Sequence, residues 1–526
     1  MSIVDHVRGW VRRYRPARAA APALALACAA PACLAQPAVD GLLDDWATTP
    51  IFVNDPVGDG AAPFDLRAIR VQSAGTRLFV QFDIGSTVNL PSGPATDPTL
   101  RLIIARGNRT LTINFRSRTA SYFNGSTTSP VTWTALNFSA APTVATSRFE
   151  LEVDTALMGA ALGDTLQLNF SGADALAAST PFTLTNPAQT PERRSPDRSP
   201  CANLRVVSLN TFVSGFAAPA RRAQFVRLID AVNADVYCFQ EEYDGTLAQA
   251  QSIINEADAL DNGVPWNVLK AGELVIASPH ALIPVNLGTP AYQGAVVVRP
   301  GGHATFVLNN HMKCCGHIGS TEDATRISQT QTAIAAFNAF RAGTLSPELA
   351  PYADAPAIVI GDWNHVGSST PMDLWLASPG PELTQATVRH LIGRETWTWA
   401  APSGTGFWPG LLDVVAFDAY RSAAARSFVL DSAELNADEL AALGLQAGDS
   451  AASDHRMLVV DLADGPSADL NGDSGVNTAD LTYLLSRFSR AASSAPDVRR
   501  CDFNRDGTVN TPDLTYFLAR FGVTCN

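Results

Sequence analysis

Between residues 37 and 185 the chain alternates apolar and polar positions with a period of two. LRAIRVQSAGTRLFVQFDIG (66–85) breaks that alternation only at Ser73-Ala74-Gly75, and LRLIIARGNRTLTINFRS (100–117) breaks at Gly107–Asn108. Each reads as a β-hairpin, because side chains two apart share one face of a strand. RFELEVDTAL (148–157) and DTLQLNFSG (164–172) continue the pattern, which predicts an N-terminal all-β sandwich. From residue 204 the pattern changes. Short, continuously apolar runs such as LRVVSL and AIVI alternate with helical segments, RRAQFVRLIDAVNA (221–234) and RISQTQTAIAAFNAF (326–340). That alternation predicts α/β organisation.

Between these regions, NPAQTPERRSPDRSP (186–200) mixes prolines and charges without an apolar period and reads as a stiff, protease-accessible linker. From 466 a repeat with a period of 33 appears: DLNGDSGVNTADLTYLLSRF (469–488) matches DFNRDGTVNTPDLTYFLARF (502–521). Both loops offer oxygen ligands at positions 1, 3, 5, 9 and 12. They are Asp469, Asn471, Asp473, Asn477 and Asp480, then Asp502, Asn504, Asp506, Asn510 and Asp513. A hard cation such as Ca²⁺ suits that donor set. The first loop departs at Ser474, where the second has Gly507 for a sharp turn.

The chemistry of the central region sits where its apolar runs stop. AIVIGDWNHVG (357–367) presents Asp362 and Asn364, two apart and so on one side of an extended backbone. LRVVSLNTF presents Asn210, ADVYCFQEE presents Glu241 with Glu242 beside it, and TFVLNNHMK presents His311. GFWPGLLDVVAF adds Asp413, and AASDHRMLVVDL opens with Asp454 and His455. In this order the segments resemble the endonuclease/exonuclease/phosphatase family of metal-dependent phosphoesterases over residues 201–462.

The resemblance implies a four-layer α/β sandwich, two β-sheets flanked by helices, with its site at one edge. It also implies hydrolysis of a phosphodiester or phosphomonoester by metal-assisted attack of water. On that reading Glu241 is the main Mg²⁺ or Mn²⁺ ligand, with Asn210 and Asp454 assisting. Asp362 takes the proton of the attacking water and Asn364 orients it. His311 and His455 bind phosphoryl oxygens, and Asp413 fixes the tautomer of His455. His317, His365 and Glu242 are held as supporting or substrate-contact positions. The repeat pair resembles a small α-helical dockerin module, which implies a cohesin-type protein partner. The other reading of that module is a calcium-stabilised cap without a partner. VDGLLDDWATTP (39–50), followed by NDPVGDG, loosely resembles the opening of carbohydrate-binding sandwich modules. It leaves Trp46 as a sugar platform or a core residue, and Asp55 and Asp59 as ligands of a structural calcium or as solvated turn residues.

Length and composition suit a multi-domain exported protein. The chain has 526 residues, 46% hydrophobic, with a net charge of −13. Basic residues from Arg8 to Arg18 precede APALALACAAPACLA, which reads as a signal peptide over 1–35 cleaved after Ala35. Arg12–Arg13 leave a twin-arginine route open, and Cys28 a lipid anchor. No later apolar run reaches the ~18 residues of a membrane span, so a secreted, periplasmic or cell-surface location is expected. Six cysteines follow residue 35, and Cys501 with Cys525, bracketing the second repeat, form the pair easiest to expect. HMKCCGH (311–317) crowds two His and two Cys as zinc sites do, but adjacent cysteines seldom reach one tetrahedral ion, and disulfide bonding of Cys314 or Cys315 is expected instead.

Residues 201–462 carry 14 Lys plus Arg against 26 Asp plus Glu, and the whole chain has two lysines, Lys270 and Lys313. A protein gripping long nucleic acid spends positive charge on phosphates, so this balance argues against a processive nuclease. A second hypothesis, from another class, is a scaffold held by its flanking modules, with an inactive centre.

Overall fold

The computed structural model describes residues 36–257, 263–377, 380–470 and 475–523. The expected signal peptide, Asn471, Asp473, Ser474 and Cys525 lie outside the described residues.

Two antiparallel sheets occupy residues 53–183. One has five strands in the order Val53–Asn54, Ala68–Ala74, Arg77–Val88, Thr146–Asp154, Ser139–Ala141. The other has six: Thr180–Thr183, Thr165–Gly172, Leu100–Arg106, Arg109–Asn114, Thr119–Phe123, Thr128–Val131. The alternating apolar residues meet in one core, with Val80, Phe82 and Ile84 from the first sheet and Leu102, Ile104, Ile113 and Phe170 from the second. Both hairpins turn where the polar break falls, pairing Ala74 with Arg77 and Arg106 with Arg109. Trp46 is 2% exposed and donates its indole N–H to Glu150 Oε2 at 2.7 Å, so it is a core residue and no sugar platform.

The central region has two six-stranded mixed sheets. The first runs Asn267–Ala271, Leu274–Ser278, Val236–Gln240, Leu204–Asn210, Met457–Asp464, Ser422–Leu430. The second runs Ala281–Val285, Tyr292–Val298, Ala304–His311, Ala357–Asp362, Asp413–Phe417, Thr384–Gln385. Val206, Val236, Ile276 and Leu458 of one sheet pack on Val297, Val307, Ile358 and Ile360 of the other. Strands apolar on both faces are what this burial requires. The outer face of the first sheet is covered by helices Arg222–Val232 and Leu247–Ala257 through Phe225, Ile229, Ile253 and Ile254. Helix Thr321–Arg341, capped by Ser320, covers the second sheet through Phe337 and Phe340. The order is helix, sheet, sheet, helix. Its first and last strands are clamped by a buried bidentate pair, Arg205 to Asp461 at 2.6 and 2.9 Å.

Segment 186–200 has no helix or strand, yet it is anchored. Arg194 N bonds Leu391 O at 2.8 Å and Ser199 N bonds Asp461 Oδ2 at 2.7 Å. After residue 466, helices Thr478–Leu485 and Thr511–Leu518 share a small core of Val476, Leu484, Val498, Phe503, Val509 and Phe517. Asp480 and Asp513 are fully buried and close capping boxes with Asn477 and Asn510.

The cysteines correct two expectations. Cys201 is disulfide-bonded, whereas Cys501 is a free thiol buried in the C-terminal core, so Cys501 does not form the bracketing bridge. Cys314 and Cys315 are free and exposed, with their sulfurs 3.0 Å apart. Among the described residues no helix is long and apolar enough to cross a membrane.

Candidate active site

Every polar residue singled out at a strand end in the central region reaches the same edge of the two sheets. Asn210, His311 and Asp362 are the last residues of their strands, and Glu241 follows directly after Gln240. Asp413 begins the strand antiparallel to Ala357–Asp362, so it stands at the same end. His455 lies two residues before Met457–Asp464. Strands of both directions thus deliver side chains to one line. Gly361 makes the approach possible, since a Cβ there would stand 2.1 Å from Asn310 O.

Asn210 ties the two sheets together at this edge. Its Nδ2 donates at 3.1 Å to Glu241 Oε1 and at 3.1 Å to Asp362 Oδ2, while Phe212 N occupies its Oδ1 at 2.9 Å. Asn210 therefore turns its amide nitrogen to both carboxylates. Glu241 adopts φ 65 and takes Val213 N on Oε2 at 2.8 Å.

Asp362 is fixed on both oxygens. Asn364 N donates to Oδ1 at 2.7 Å, and Asn364 Nδ2 lies 3.3 Å from Oδ2. The same Oδ2 is 3.5 Å from His311 Nε2 and 3.7 Å from His455 Nε2. Burial pushes the Asp362 carboxyl up to about 6, opposed by His455 and raised further by Asp413. For His455, burial disfavours the charged ring, but Asp413, with Oδ2 2.8 Å from Nδ1, and then Asp362 outweigh it and raise its pKa to about 10. His311 follows the same logic. Burial opposes charging, and the 2.8 Å contact with Glu273 plus the charges of Asp362, Glu273 and Glu241 raise it to about 9.

Two groups of side chains could hold a metal ion. Glu241, His311 and Asp362 present ligand atoms within 4.8 Å of one another, as do Asp362, Asp413 and His455. Asp454 stands apart from both groups. Trp399 Nε1 holds its Oδ2 at 2.9 Å, while its Oδ1 is buried without a hydrogen-bond partner among the described residues. Burial raises its pKa, and the neighbouring charge of Glu241 adds to the rise. An orphaned carboxylate oxygen near a second carboxylate is an arrangement that a cation relieves.

Glu242, by contrast, is structural, accepting Thr211 Oγ1 at 2.6 Å and Phe216 N at 2.9 Å. Burial lowers His365 to about 4, and its carbonyl accepts Thr143 Oγ1. His317 N bonds Ser320 Oγ at 3.3 Å in the turn before helix Thr321–Arg341. Among the described residues the cysteines of HMKCCGH join no metal-ligating group.

Two contributors escaped the sequence. Glu273 orients His311 and accepts Glu241 N at 3.1 Å. It sits with Gly272 in the hairpin turn between strands Asn267–Ala271 and Leu274–Ser278, and the only signal was a carboxylate in that turn. Arg221 is the other. Phe212, Val213 and Ser214 take φ of 53, 49 and 56, three consecutive left-handed non-glycine residues. The Arg221 guanidinium braces them, bonding the carbonyls of Thr211, Phe212, Val213 and Ala452 at 2.7–3.1 Å.

The N-terminal sheets also grip this edge. Trp408, five residues before Asp413, is buried in their core, edge-on to Trp133 and Phe138 at 5.9 and 5.7 Å. Asn89 Nδ2 holds Gly367 O at 2.9 Å, just beyond the Asp362–Asn364 turn.

No protein-family model and no curated relative matches the chain. Solved structures align with about half of the chain. The catalytic domain of human Nocturnin with bound sulfate is 15% identical over 50% of this chain and 94% of its own, with a TM-score of 0.32. An endonuclease/exonuclease/phosphatase from Beutenbergia cavernae is 15% identical over 51% of this chain and 72% of its own, with a TM-score of 0.30. AP endonuclease LMAP from Leishmania major is 13% identical over 52% and 92%, with a TM-score of 0.32. Likeness at this level assigns neither fold nor activity; the fold and the chemistry rest on the strands and side chains above.

Proposed function

We propose that the protein is a divalent-metal-dependent phosphoesterase. The observation that carries this reading is the Asn210 amide, 3.1 Å from both Glu241 and Asp362 and joining both sheets at one polar edge. Glu241 and Asp454 are the carboxylates that would hold Mg²⁺ or Mn²⁺. Asn210, whose Oδ1 accepts Phe212 N and keeps a second lone pair, would assist them. The ion supplies charge neutralisation to a phosphate that would otherwise repel its nucleophile.

The chain's own groups do the rest. Asp362 accepts the proton of a water, and Asn364 fixes the carboxylate that receives it. His455, kept charged by Asp413, and His311, kept charged by Glu273, face the position where negative charge grows on the phosphoryl oxygens. The deficit of lysine and arginine favours small or lipid-borne phosphate esters over long nucleic acid.

Around this centre we read the N-terminal sheets as a sandwich module, the two C-terminal loops as dockerin-like calcium sites, and the first 35 residues as an export signal. The loop chemistry supports the calcium reading: Asp502 takes the backbone N–H groups of Asp506 and Gly507, and Asp506 takes Asn504 and Asn510. A cohesin-type partner belongs to that reading too.

The test is hydrolysis of a chromogenic phosphodiester with Mg²⁺ or Mn²⁺. Activity lost in chelator and in Asp362→Asn is the expected result. Equal rates for wild type and variant defeat the proposal.

A further inference from the structure

A second cluster of carboxylates lies far from the strand-end site, in the N-terminal sheets. Asp55 and Asp59 belong to the loop NDPVGDG, and Asp174 belongs to the turn after strand Thr165–Gly172. These three present oxygens within 4.8 Å of one another. The fold brings them together deliberately. Ala61 N bonds Ala173 O at 2.6 Å, and Leu66 N bonds Asp174 Oδ2 at 2.7 Å, so both ends of the loop are moored to that turn. Gly60 passes so close that a Cβ would stand 2.6 Å from Asp174 Oδ2.

Acidic clusters on a surface usually face water; here Asp59 does, and Asp55 and Asp174 do not. Asp55 is only 9% exposed, and its Oδ2 is buried without a hydrogen-bond partner among the described residues. The charges acting on it are those of Asp174, Asp59 and Asp65, all of its own sign. A buried, unpaired carboxylate oxygen is costly unless something neutralises it. Its nearest companions are two more carboxylates.

We infer that Asp55, Asp59 and Asp174 form a calcium site that locks the 55–65 loop onto the 173–175 turn. The donors are oxygen only, one contributor is 115 or more residues distant from the others in sequence, and loops provide them all. That combination suits a large hard cation with flexible coordination better than Mg²⁺, which demands a near-ideal octahedron. Zinc prefers nitrogen and sulfur donors, and neither is present in the cluster.

The test counts calcium on the full mature chain after equilibrium dialysis at about millimolar Ca²⁺, for wild type and Asp55→Asn. The other divalent sites are present in both, so the difference isolates this one. One calcium fewer per chain is the expected result; an unchanged count overturns the inference. Thermal unfolding guards against a variant that fails to fold. In chelator, Asp55→Asn melts no lower than wild type, because a like charge has been removed. Calcium then raises wild type more than the variant, and equal rises overturn the inference. Asp59→Asn, at an exposed position, weakens the tightest calcium step lost in Asp55→Asn on the order of tenfold and leaves folding intact.

Discussion

Asp362 and Asp413 stand directly opposite each other, paired in register across two antiparallel strands. Two buried carboxylates so placed would repel, and His455 resolves the conflict by contacting both. Its Nδ1 is 2.8 Å from Asp413 and its Nε2 is 3.7 Å from Asp362. One fixes the ring while the other is left to react.

This pairing sets the pH dependence. Asp362, raised to about 6, is protonated below that value, so the acid limb of kcat falls at or below pH 6, a bound cation moving it lower. His311 and His455 lose their protons near 9 and 10, giving an alkaline limb there. Asp413→Asn removes the foremost support of the charged ring and shifts the alkaline limb toward neutrality. A pH–rate profile of the two proteins checks it. The sign for stability is the matching one. A His raised in the folded state stabilises fully below its unfolded value of about 6.5, and that contribution is lost as pH rises toward 10.

Removing the base has a larger effect. Asp362→Ala is expected to cost at least ~10²-fold in kcat with bound metal retained through Glu241. Glu241→Gln loses activity chiefly by weakening metal binding, so added Mn²⁺ rescues it in part. Activity titrated against metal concentration separates the two variants.

Arg221 touches none of the proposed reacting groups, yet it braces the strained turn that supplies Val213 N to Glu241. Non-glycine residues in the left-handed region cost on the order of 1 kcal/mol or more each. Arg221→Ala lets the turn relax, and kcat/KM is expected to fall about tenfold, the loss of roughly 1.4 kcal/mol of positioning. Arg221→Lys, a point charge in place of a planar fork, recovers little of it. Steady-state kinetics beside a melting curve checks both.

Burial of the Arg205–Asp461 pair gives a stability prediction independent of the site. Asp461→Ala strands the guanidinium among carbonyls and is expected to cost about 3–5 kcal/mol. Replacing both partners by apolar residues costs much less. Urea denaturation of the single and double variants measures the coupling.

Much of the centre was readable from the sequence because strand ends are marked twice, once by the stop of an apolar run and once by the polar residue that follows. Asn210, Glu241, His311 and Asp362 carry that double mark, Asp413 and His455 stand at the starts of their apolar runs, and all six reach one edge. Glu273 and Arg221 carry neither. One sits in a hairpin turn and the other in the short helical turn Pro219–Arg221, where polar residues are ordinary. Trp408 misleads in the opposite direction, since its neighbours in sequence belong to the central sheets while its ring lies in the N-terminal core. Local pattern reports which face of a strand is buried, not which core buries it. The cysteines escape for a related reason, because pairing depends on approach in space and Cys501 is walled into its own small core.

The seat that the N-terminal sheets provide for Trp408 has a consequence for how such a chain can be rearranged. Cutting at the proline-rich stretch after residue 185 would strip the indole of its aromatic neighbours and leave a greasy, unsupported loop leading into Asp413. Halves exchanged with another protein would meet the same mismatch unless the seat travelled with the loop. The two parts have to be inherited together.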